Sequence, residues 1–592
     1  MQKDAHRIFQ WIVVSSRPLR VEEVAEVFAI NFDEEMSGIP KFEPSWRDPN
    51  AETAVLSACS TLITIVDDGN WWRRRKIVQF SHFSVKEYLT SGRITHAEHV
   101  SHFHIHPKPA HTLLAKACLG VLFQLDYCMD KAKIQTFHLA EYAAKYWVEH
   151  ARFEDVSSYI QDGMDLLFDK DKPHFGIWVW AYDVDQYFKE YFYTDGPEKP
   201  DAVPLYYAAL CGFRGLVERL LTAHPRDLNV AGGNWGAPLN AALSKGHPDI
   251  ALFLVGRGAD GENRGKVDQT GLYIASSRGY AGVVRSLIDR GADLNAICKG
   301  DDEHDGDVKW APLHVAIHEE RRDVAILLLE GGAHTETQSS REKTALYMAS
   351  SRGHADIVQQ LIGHGADLNV KCRDRTNYGY GVTWTPLHAA IHNDHRDAAL
   401  LLLDGGANTE TWSNRDKTAL SMASSRGCAD INIVRQLISH SADLNAECED
   451  WNQYDRDVKW TPLHVASYDG FPLVTRMLLE HSANPNAPDN LGRTALYFAS
   501  FYGNIKVVEL LLQYGADVDV RGKDGWTPLH RAAYHVNLQA VVILLNHGAD
   551  PRAKTINGRT PMWLANAAYR LFSKEDQTHI IQLLSERTGE RL

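Results

Sequence analysis

DGWTPLHRAAYHVNLQAVVILLNHGADP, residues 524–551, is the stretch that decides the fold of this chain. In its TPLH segment, Thr527 is a good N-cap for a helix, and Pro528 fits the first turn, where a missing N–H has no cost. The apolar residues of 538–545 then recur at helical spacing, and Gly548 is suited to end that second helix. The stretch therefore predicts two short helices. Such a pair must stack against neighbours, because it cannot bury its apolar face alone.

The TPLH segment recurs along the chain, and its leucine, or methionine in the last copy, marks each copy. These positions are Leu205, Leu239, Leu272, Leu313, Leu346, Leu387, Leu420, Leu463, Leu496, Leu529 and Met562. Most are 33 or 34 residues apart, while three spacings are 41 or 43. A period of 33 with this motif resembles the ankyrin repeat. The resemblance implies a mainly α solenoid of about eleven units over residues 202–592.

The three long spacings come from inserts that share a frame, at residues 298–310, 372–384 and 448–460. Each insert begins with Cys and has Val ten residues later and Trp twelve residues later. The Val-x-Trp alternation predicts a strand, so each insert is expected to extend the hairpin between two repeats. Tandem duplication of a repeat pair is one explanation of the shared frame.

The interiors of the inserts have diverged in charge and in aromatic content. Insertions at one position of a repeat lie on one face of a solenoid, often the binding face, and Tyr and Trp are favoured as interface anchors. The second explanation is therefore that residues 299–309, 373–383 and 449–459 contact a partner protein. The candidate contact residues are Asp301, Asp302, Glu303, Asp305, Arg373, Arg375, Tyr378, Tyr380, Trp451, Tyr454 and Arg456.

Three patterns invite a metal interpretation. An EF-hand loop that starts at Asp301 would need Glu at its twelfth position, which is Pro312, so only loose acidic cation binding stays open. The histidines of 101–111 have no further ligand at motif spacing. Four histidines share one repeat position, and the ankyrin resemblance implies that they support a turn by hydrogen bonding; they are His314, His388, His464 and His530. We expect no cofactor and no metal site.

Residues 1–95 have a different pattern from the repeats. Two helical stretches flank Pro18, and residues 62–82 alternate like two strands joined at Asp68-Gly69. Helices followed by a hairpin predict a winged helix, and a helical linker is expected over 96–201. The segments QWI…SSRPLRVEEVAEV and VQFSHFSVKEYL resemble the winged helix of fungal NACHT–ankyrin proteins. Those proteins are signal-transducing NTPases with the layout of NLR-type (STAND) receptors.

That resemblance implies a NACHT NTPase ahead of the winged helix, with a P-loop. The nearest candidate motif, residues 258–267, has Asp260 where the first Gly is required and Val267 where Ser or Thr must bind Mg²⁺. Two expectations follow. Either the chain is a relative that acts without nucleotide, or it is the C-terminal sensor portion of a longer receptor.

Composition narrows the function classes. The net charge is −14, which argues against sequence-independent nucleic-acid binding. Residues 73–76, RRRK, keep a DNA-binding regulator open as an alternative. No apolar run approaches the roughly 20 residues that span a bilayer. None of the eight cysteines forms a C-x-x-C pair, which is typical of a reduced intracellular protein.

These observations together predict a non-enzymatic scaffold that binds a partner protein through the concave and insert face of the ankyrin array. No small-molecule substrate is evident. We expect the chain to be cytoplasmic, with the nucleus as the alternative, and not secreted.

Overall fold

The computed structural model describes residues 2–36, 38–59, 61–68, 75–97, 99–126, 134, 136–185, 199–300, 308–374, 382–413, 417–426, 431–452, 455–567 and 573–589. The chain divides into two compact parts, residues 1–293 and residues 294–592. Helices dominate both parts, as the repeat pattern predicts.

The first part begins with a winged helix, which confirms that prediction. Its helices are α1 (Gln2–Val14), α2 (Val21–Glu26), α3 (Ala51–Cys59) and α4 (Phe83–Thr90). Its three-stranded antiparallel sheet has the order β1-β5-β4 and is formed by β1 (Leu19–Arg20), β4 (Ile63–Asp67) and β5 (Lys76–Phe80). A further hairpin, β2 (Ile30–Met36) with β3 (Ile39–Phe42), lies between α2 and α3 and was not expected from the sequence.

A helical segment follows the winged helix and packs against it. Its helices are α5 (Pro107–Leu122), α6 (Ala140–Arg152), α7 (Val156–Tyr159), α8 (Gln161–Leu167) and α9 (Pro173–Ala181). The carboxylate of Glu26 accepts hydrogen bonds from the backbone N–H groups of His138 and Leu139, at 3.1 and 2.8 Å, just before α6. Glu26 is buried and also forms an ion pair with Arg47 at 2.8 Å. A buried carboxylate at a helix N-terminus thus joins the two segments.

Three helix pairs complete the first part. They are α10 (Pro204–Cys211) with α11 (Arg214–Ala223), α12 (Pro238–Lys245) with α13 (Pro248–Gly256), and α14 (Gly271–Arg278) with α15 (Ala281–Ile288). We number them repeats 1 to 3. Their first helices are almost entirely buried.

The second part holds repeats 4 to 11, each again a pair of helices. These pairs are α16 (Pro312–His318) and α17 (Arg322–Glu330), α18 (Ala345–Arg352) and α19 (Ala355–Gly363), α20 (Pro386–His392) and α21 (Arg396–Asp404), α22 (Ala419–Ser425) and α23 (Ile431–Ser439), α24 (Pro462–Asp469) and α25 (Pro472–Glu480), α26 (Ala495–Tyr502) and α27 (Ile505–Gln513), α28 (Pro528–Tyr534) and α29 (Leu538–Asn546), and α30 (Pro561–Ala567) and α31 (Lys574–Thr588). Three antiparallel hairpins precede repeats 4, 6 and 8, as predicted from the inserts. They are β6 (Cys298–Lys299) with β7 (Lys309–Trp310), β8 (Cys372–Asp374) with β9 (Val382–Trp384), and β10 (Cys448–Asn452) with β11 (Asp455–Trp460).

The helix caps of the repeats are those that the sequence predicts. A threonine side chain caps the first helix of six described repeats by accepting a backbone N–H three residues later: Thr270, Thr344, Thr385, Thr418, Thr461 and Thr527. Gly515 and Gly548 follow second helices with φ of 85° and 90°, a backbone conformation that favours glycine.

The repeated histidines have the structural role that the sequence predicted. In His388, His464 and His530, Nε2 donates to a backbone carbonyl of the next repeat at 3.1–3.2 Å. Nδ1 of each lies 2.7–2.8 Å from the hydroxyl of the capping threonine. Burial lowers the pKa of His388 and His464 to about 4, so these imidazoles are neutral at pH 7.

Candidate protein-binding surface

The hairpin bases explain why the three inserts share a frame. The first Cys and the final Trp of each insert are cross-strand partners: Cys298 with Trp310, Cys372 with Trp384, and Cys448 with Trp460. The three cysteine side chains are fully buried. Val308 and Val458 are also buried, so the Cys-Val-Trp frame is a packing requirement of the hairpin base. The frame alone therefore does not indicate binding.

The predicted contact residues of the inserts lie almost entirely outside what the structure describes. Arg373 is exposed on β8, with its Nε 3.9 Å from a carboxylate oxygen of Glu342. Trp451 lies on β10 and Arg456 on β11, and the structure describes their backbone alone. The other predicted contact residues fall outside the described ranges: Asp301, Asp302, Glu303, Asp305, Arg375, Tyr378, Tyr380 and Tyr454.

Each hairpin rests on the helix that follows it through one aromatic contact. The tryptophan at the hairpin end packs against the ring eight residues later, at the end of the first helix. The ring centroids are 4.4 Å apart for Trp310 and His318, 4.4 Å for Trp384 and His392, and 5.0 Å for Trp460 and Tyr468. Repeat 10 has no long insert, yet Trp526 and Tyr534 keep the same relationship at 5.6 Å. We call the side of the repeats that carries these tryptophans and the rings at the ends of the first helices the hairpin face. The contact recurs from repeat to repeat, so the tryptophan keeps the same place relative to the first helix.

An unbroken series of aromatic rings crosses the hairpin face of repeats 8 to 10. Consecutive centroids are 4.0–5.6 Å apart along the order Trp460, Tyr468, Tyr502, Phe501, His535, Tyr534 and Trp526. We call these seven residues the aromatic strip. Trp460 is buried at its end, Tyr502 is 43% exposed, and the other five are partly exposed. Adjacent aromatic residues that stay accessible to solvent are typical of protein-binding surfaces.

Three of the seven strip residues occupy the same repeat position. Tyr468, Phe501 and Tyr534 each lie seven residues after the threonine that begins the first helix. At the same position, repeats 3, 5 and 7 have serine. The strip was not predicted from the sequence, because the three inserts are the more conspicuous feature of this face. In repeats 3 to 7 this position alternates between serine and histidine, whereas repeats 8 to 10 have Tyr or Phe in succession; that change is the signal that could have revealed the strip.

The strip is close to electrically neutral. Its main cation is Arg531, whose guanidinium lies 4.2 Å from the Trp526 ring centroid and 4.8 Å from that of Tyr497. Asp524 faces the same guanidinium at 3.5 Å. Burial and the nearby Arg531 lower the pKa of His535 to about 4, so this ring is uncharged at pH 7. Arg531 therefore already occupies one face of Trp526.

Two partly buried side-chain amides hold the strip in position. The Asn504 side chain donates to the carbonyls of Ser467 and Tyr468, at 2.9 and 3.2 Å. Asn537 repeats this in the next unit, donating to the carbonyls of Ser500 and Phe501 at 2.9 Å each. The last carbonyls of each first helix are thereby satisfied by the following repeat. The aromatic side chains therefore project from a fixed backbone.

The alternatives from the sequence receive little structural support among the described residues. Helix α3, the middle helix of the winged helix before its wing, has no basic side chain, and its Glu52 forms an ion pair with Lys76. Arg73 and Arg74 lie outside the described residues. Within the described part of the chain, no group of three or more His, Cys, Asp or Glu side chains is arranged to hold a metal ion. In the same part, no helix is both long enough and apolar enough to cross a membrane.

Comparison with known families agrees with this architecture. The family described as "Ankyrin repeats (3 copies)" matches residues 205–298, 239–339, 272–372, 372–448 and 446–522. "Ankyrin repeats (many copies)" matches residues 511–565. Residues 1–105 match "GPI inositol-deacylase, winged helix domain".

Several curated proteins are similar over part of their length. The azaphilone pigments biosynthesis cluster protein L of Monascus ruber is 29% identical over 269 residues, covering 43% of this chain and 56% of that protein. Rabankyrin-5 of Homo sapiens is 30% identical over 204 residues, covering 34% of this chain and 16% of that protein. The chain thus spans about half of the first relative and a smaller share of the second. Because the ankyrin matches jointly span more than half of its residues, this chain belongs to the ankyrin-repeat family.

Proposed function

We propose that this chain is a non-enzymatic recognition module that binds a partner protein through the hairpin face of its ankyrin array. The observation that carries the proposal is the aromatic strip, because it presents partly exposed rings on a backbone fixed by Asn504 and Asn537. Interface anchors are enriched in Tyr and Trp, and rigid anchors lose little entropy on binding. The three inserts border the same face and are proposed to add contacts.

The test compares capture of partner proteins by the full chain and by two variants. One variant replaces Tyr468, Phe501 and Tyr534 with Ser, the residue that repeats 3, 5 and 7 have at this position. The other shortens all three inserts while keeping their Cys and Trp ends. We expect proteins captured by the unchanged chain to be lost from the first variant and weakened in the second. Capture that is identical for all three chains would exclude the hairpin face as the binding surface.

The matched control is Tyr514→Ser. Tyr514 is 37% exposed and follows helix α27, and its ring is not part of the strip. This change removes an exposed tyrosine of the same repeat without altering the hairpin face. We expect its captured proteins to match those of the unchanged chain.

The first part of the chain is proposed to anchor or relay this recognition. Glu26 fastens the winged helix to the N-terminus of α6, so the two segments can move as one body. The sensor portion of a NACHT-type receptor is the second candidate, supported by the winged-helix match. An immunoblot of the native protein decides between them. A band near 66.5 kDa favours the scaffold, and a band several hundred residues heavier favours the receptor. Both proposals place the protein in the cytoplasm, with the nucleus as the alternative.

A further inference from the structure

The spacing of rings along the aromatic strip limits what can bind there. Tyr468, Phe501 and Tyr534 are equivalent residues of successive repeats, and one ring bridges each pair. Two centroid steps of 4.5 Å lead from Tyr468 through Tyr502 to Phe501. Steps of 4.0 and 5.1 Å lead from Phe501 through His535 to Tyr534. Equivalent rings are therefore no more than about 9 Å apart, the length of three residues of polyproline II helix.

Polyproline II is the extended conformation whose symmetry fits this spacing. It has three residues per turn and rises about 3.1 Å per residue, so every third side chain lies on one face. A β-strand places every second side chain on one face, about 6.6 Å apart, which is shorter than the path of about 9 Å through the bridging rings. Proline rings also pack well on aromatic side chains, and a proline-rich segment loses little conformational entropy on binding.

The chemistry of the strip fits an uncharged segment. Arg531 is already paired with Asp524 and stacked on Trp526, which leaves the strip without a free charge for an ionic partner group. The rings of Tyr468 and Tyr502 meet at 67°, so a face of one ring lies beside an edge of the other, and a proline ring can pack against either.

We propose that the aromatic strip binds a proline-rich segment of the partner in polyproline II conformation, with prolines at every third residue lying against Tyr468, Phe501 and Tyr534. This inference rests on the proposed recognition function and adds the chemical class of the ligand. The remaining two residues of each turn face solvent and are free to vary.

The test uses two fluorescein-labelled peptides of identical composition and fluorescence anisotropy with the full chain. One has the pattern P-x-x-P-x-x-P, and the other has its three prolines at every second residue. We expect the first peptide to bind about tenfold more tightly than the second. Equal affinity for the two peptides, or no binding of either, overturns the inference.

Two strip variants and one control complete the test. Phe501→Ser introduces the residue of repeats 3, 5 and 7, and Tyr502→Ala removes the most exposed ring should the first variant fold poorly. We expect either change to weaken the P-x-x-P-x-x-P peptide about tenfold, and Tyr514→Ser to leave it unchanged. An equal loss in Tyr514→Ser, or tighter binding of a helical peptide with leucines at every seventh residue, contradicts the proposal.

The failure of this inference can be told apart from the failure of the proposed function. If the strip variant loses captured proteins but the chain binds neither proline peptide, protein recognition stands and the ligand class is wrong. If capture is also unchanged in the strip variant, the hairpin face itself is excluded.

Discussion

Ala311 lies where three other repeats have a threonine that hydrogen-bonds the histidine three residues later, and it leaves Nδ1 of His314 without a hydrogen-bond partner. In repeat 6 the hydroxyl of Thr385 lies 2.7 Å from Nδ1 of His388. His314 keeps the other half of the arrangement, because its Nε2 lies 3.1 Å from the carbonyl oxygen of Lys343. Repeat 4 therefore lacks one buried hydrogen bond that repeats 6, 8 and 10 have.

We expect Ala311→Thr to stabilise the chain by about 1 kcal/mol, because it supplies both the missing N-cap and a donor to the buried Nδ1. The reverse change, Thr385→Ala, should lower the free energy of unfolding by a similar amount. Urea denaturation of the full chain measures both. A loss of stability in Ala311→Thr would mean that the site cannot accept the hydroxyl.

The hairpins and helix pairs could be predicted from the sequence, because both depend on short-range patterns. Val-x-Trp alternation and the TPLH caps are local signals, and the structure places strands and helices there. The role of Glu26 could not be predicted, because its partners, Leu139 and Arg47, lie 113 and 21 residues away in the sequence and meet it only after folding. The aromatic strip was visible only by comparing one position between repeats, since its three equivalent rings, Tyr468, Phe501 and Tyr534, are 33 residues apart.

Acid should destabilise the repeats through their buried histidines. Burial lowers the pKa of His314, His388 and His464 to about 4 in the folded chain, against an ordinary value near 6.5. The unfolded chain therefore binds more protons between these values, so stability is full above pH 6.5 and falls as the pH drops towards 4.

Each of these histidines should contribute a loss on the order of 2 kcal/mol between pH 7 and pH 5. Denaturant midpoints of the full chain at the two pH values measure the total. His388→Gln replaces the imidazole with a side-chain amide that can still form hydrogen bonds but does not titrate, so it should make the pH dependence less steep. A midpoint that does not change between pH 7 and pH 5 would contradict the burial of these imidazoles.

The cross-strand partners Cys448 and Trp460 give a chemical test of the hairpin base. Cys448 is 1% exposed and Trp460 packs with Val458, Val465, Tyr497 and Phe498. We expect Trp460→Ala to open the base and to raise the rate of Cys448 alkylation by iodoacetamide about tenfold or more, because the thiol then reaches solvent. Mass spectrometry of the peptide that carries Cys448 gives the rate.

Trp384→Ala is the control for that experiment. Trp384 has the equivalent place in the hairpin before repeat 6 and packs against a separate cluster of Tyr347, Cys372 and Ala389, so its loss should leave Cys448 protected. If both variants expose Cys448 equally, the protection comes from global stability, and the hairpin base has no local role.

Gly120 gives the sharpest test of how the winged helix meets the helical segment. It lies in the last turn of α5, and a Cβ atom at this position would be 2.2 Å from the carbonyl oxygen of Pro40 on strand β3. The contact is with backbone, so no side-chain rotation can relieve it. Gly120→Ala must therefore move β3 away from α5, and we expect it to destabilise the first part by about 2 kcal/mol or more.

The matched control is Gly363→Ala in α19, where a Cβ atom meets nothing within 4 Å. Because alanine is the better helix former, that change should stabilise the chain by up to about 1 kcal/mol. Thermal unfolding of the two variants measures both effects. If α5 packs closely on β3, the melting temperature falls in Gly120→Ala and rises in Gly363→Ala.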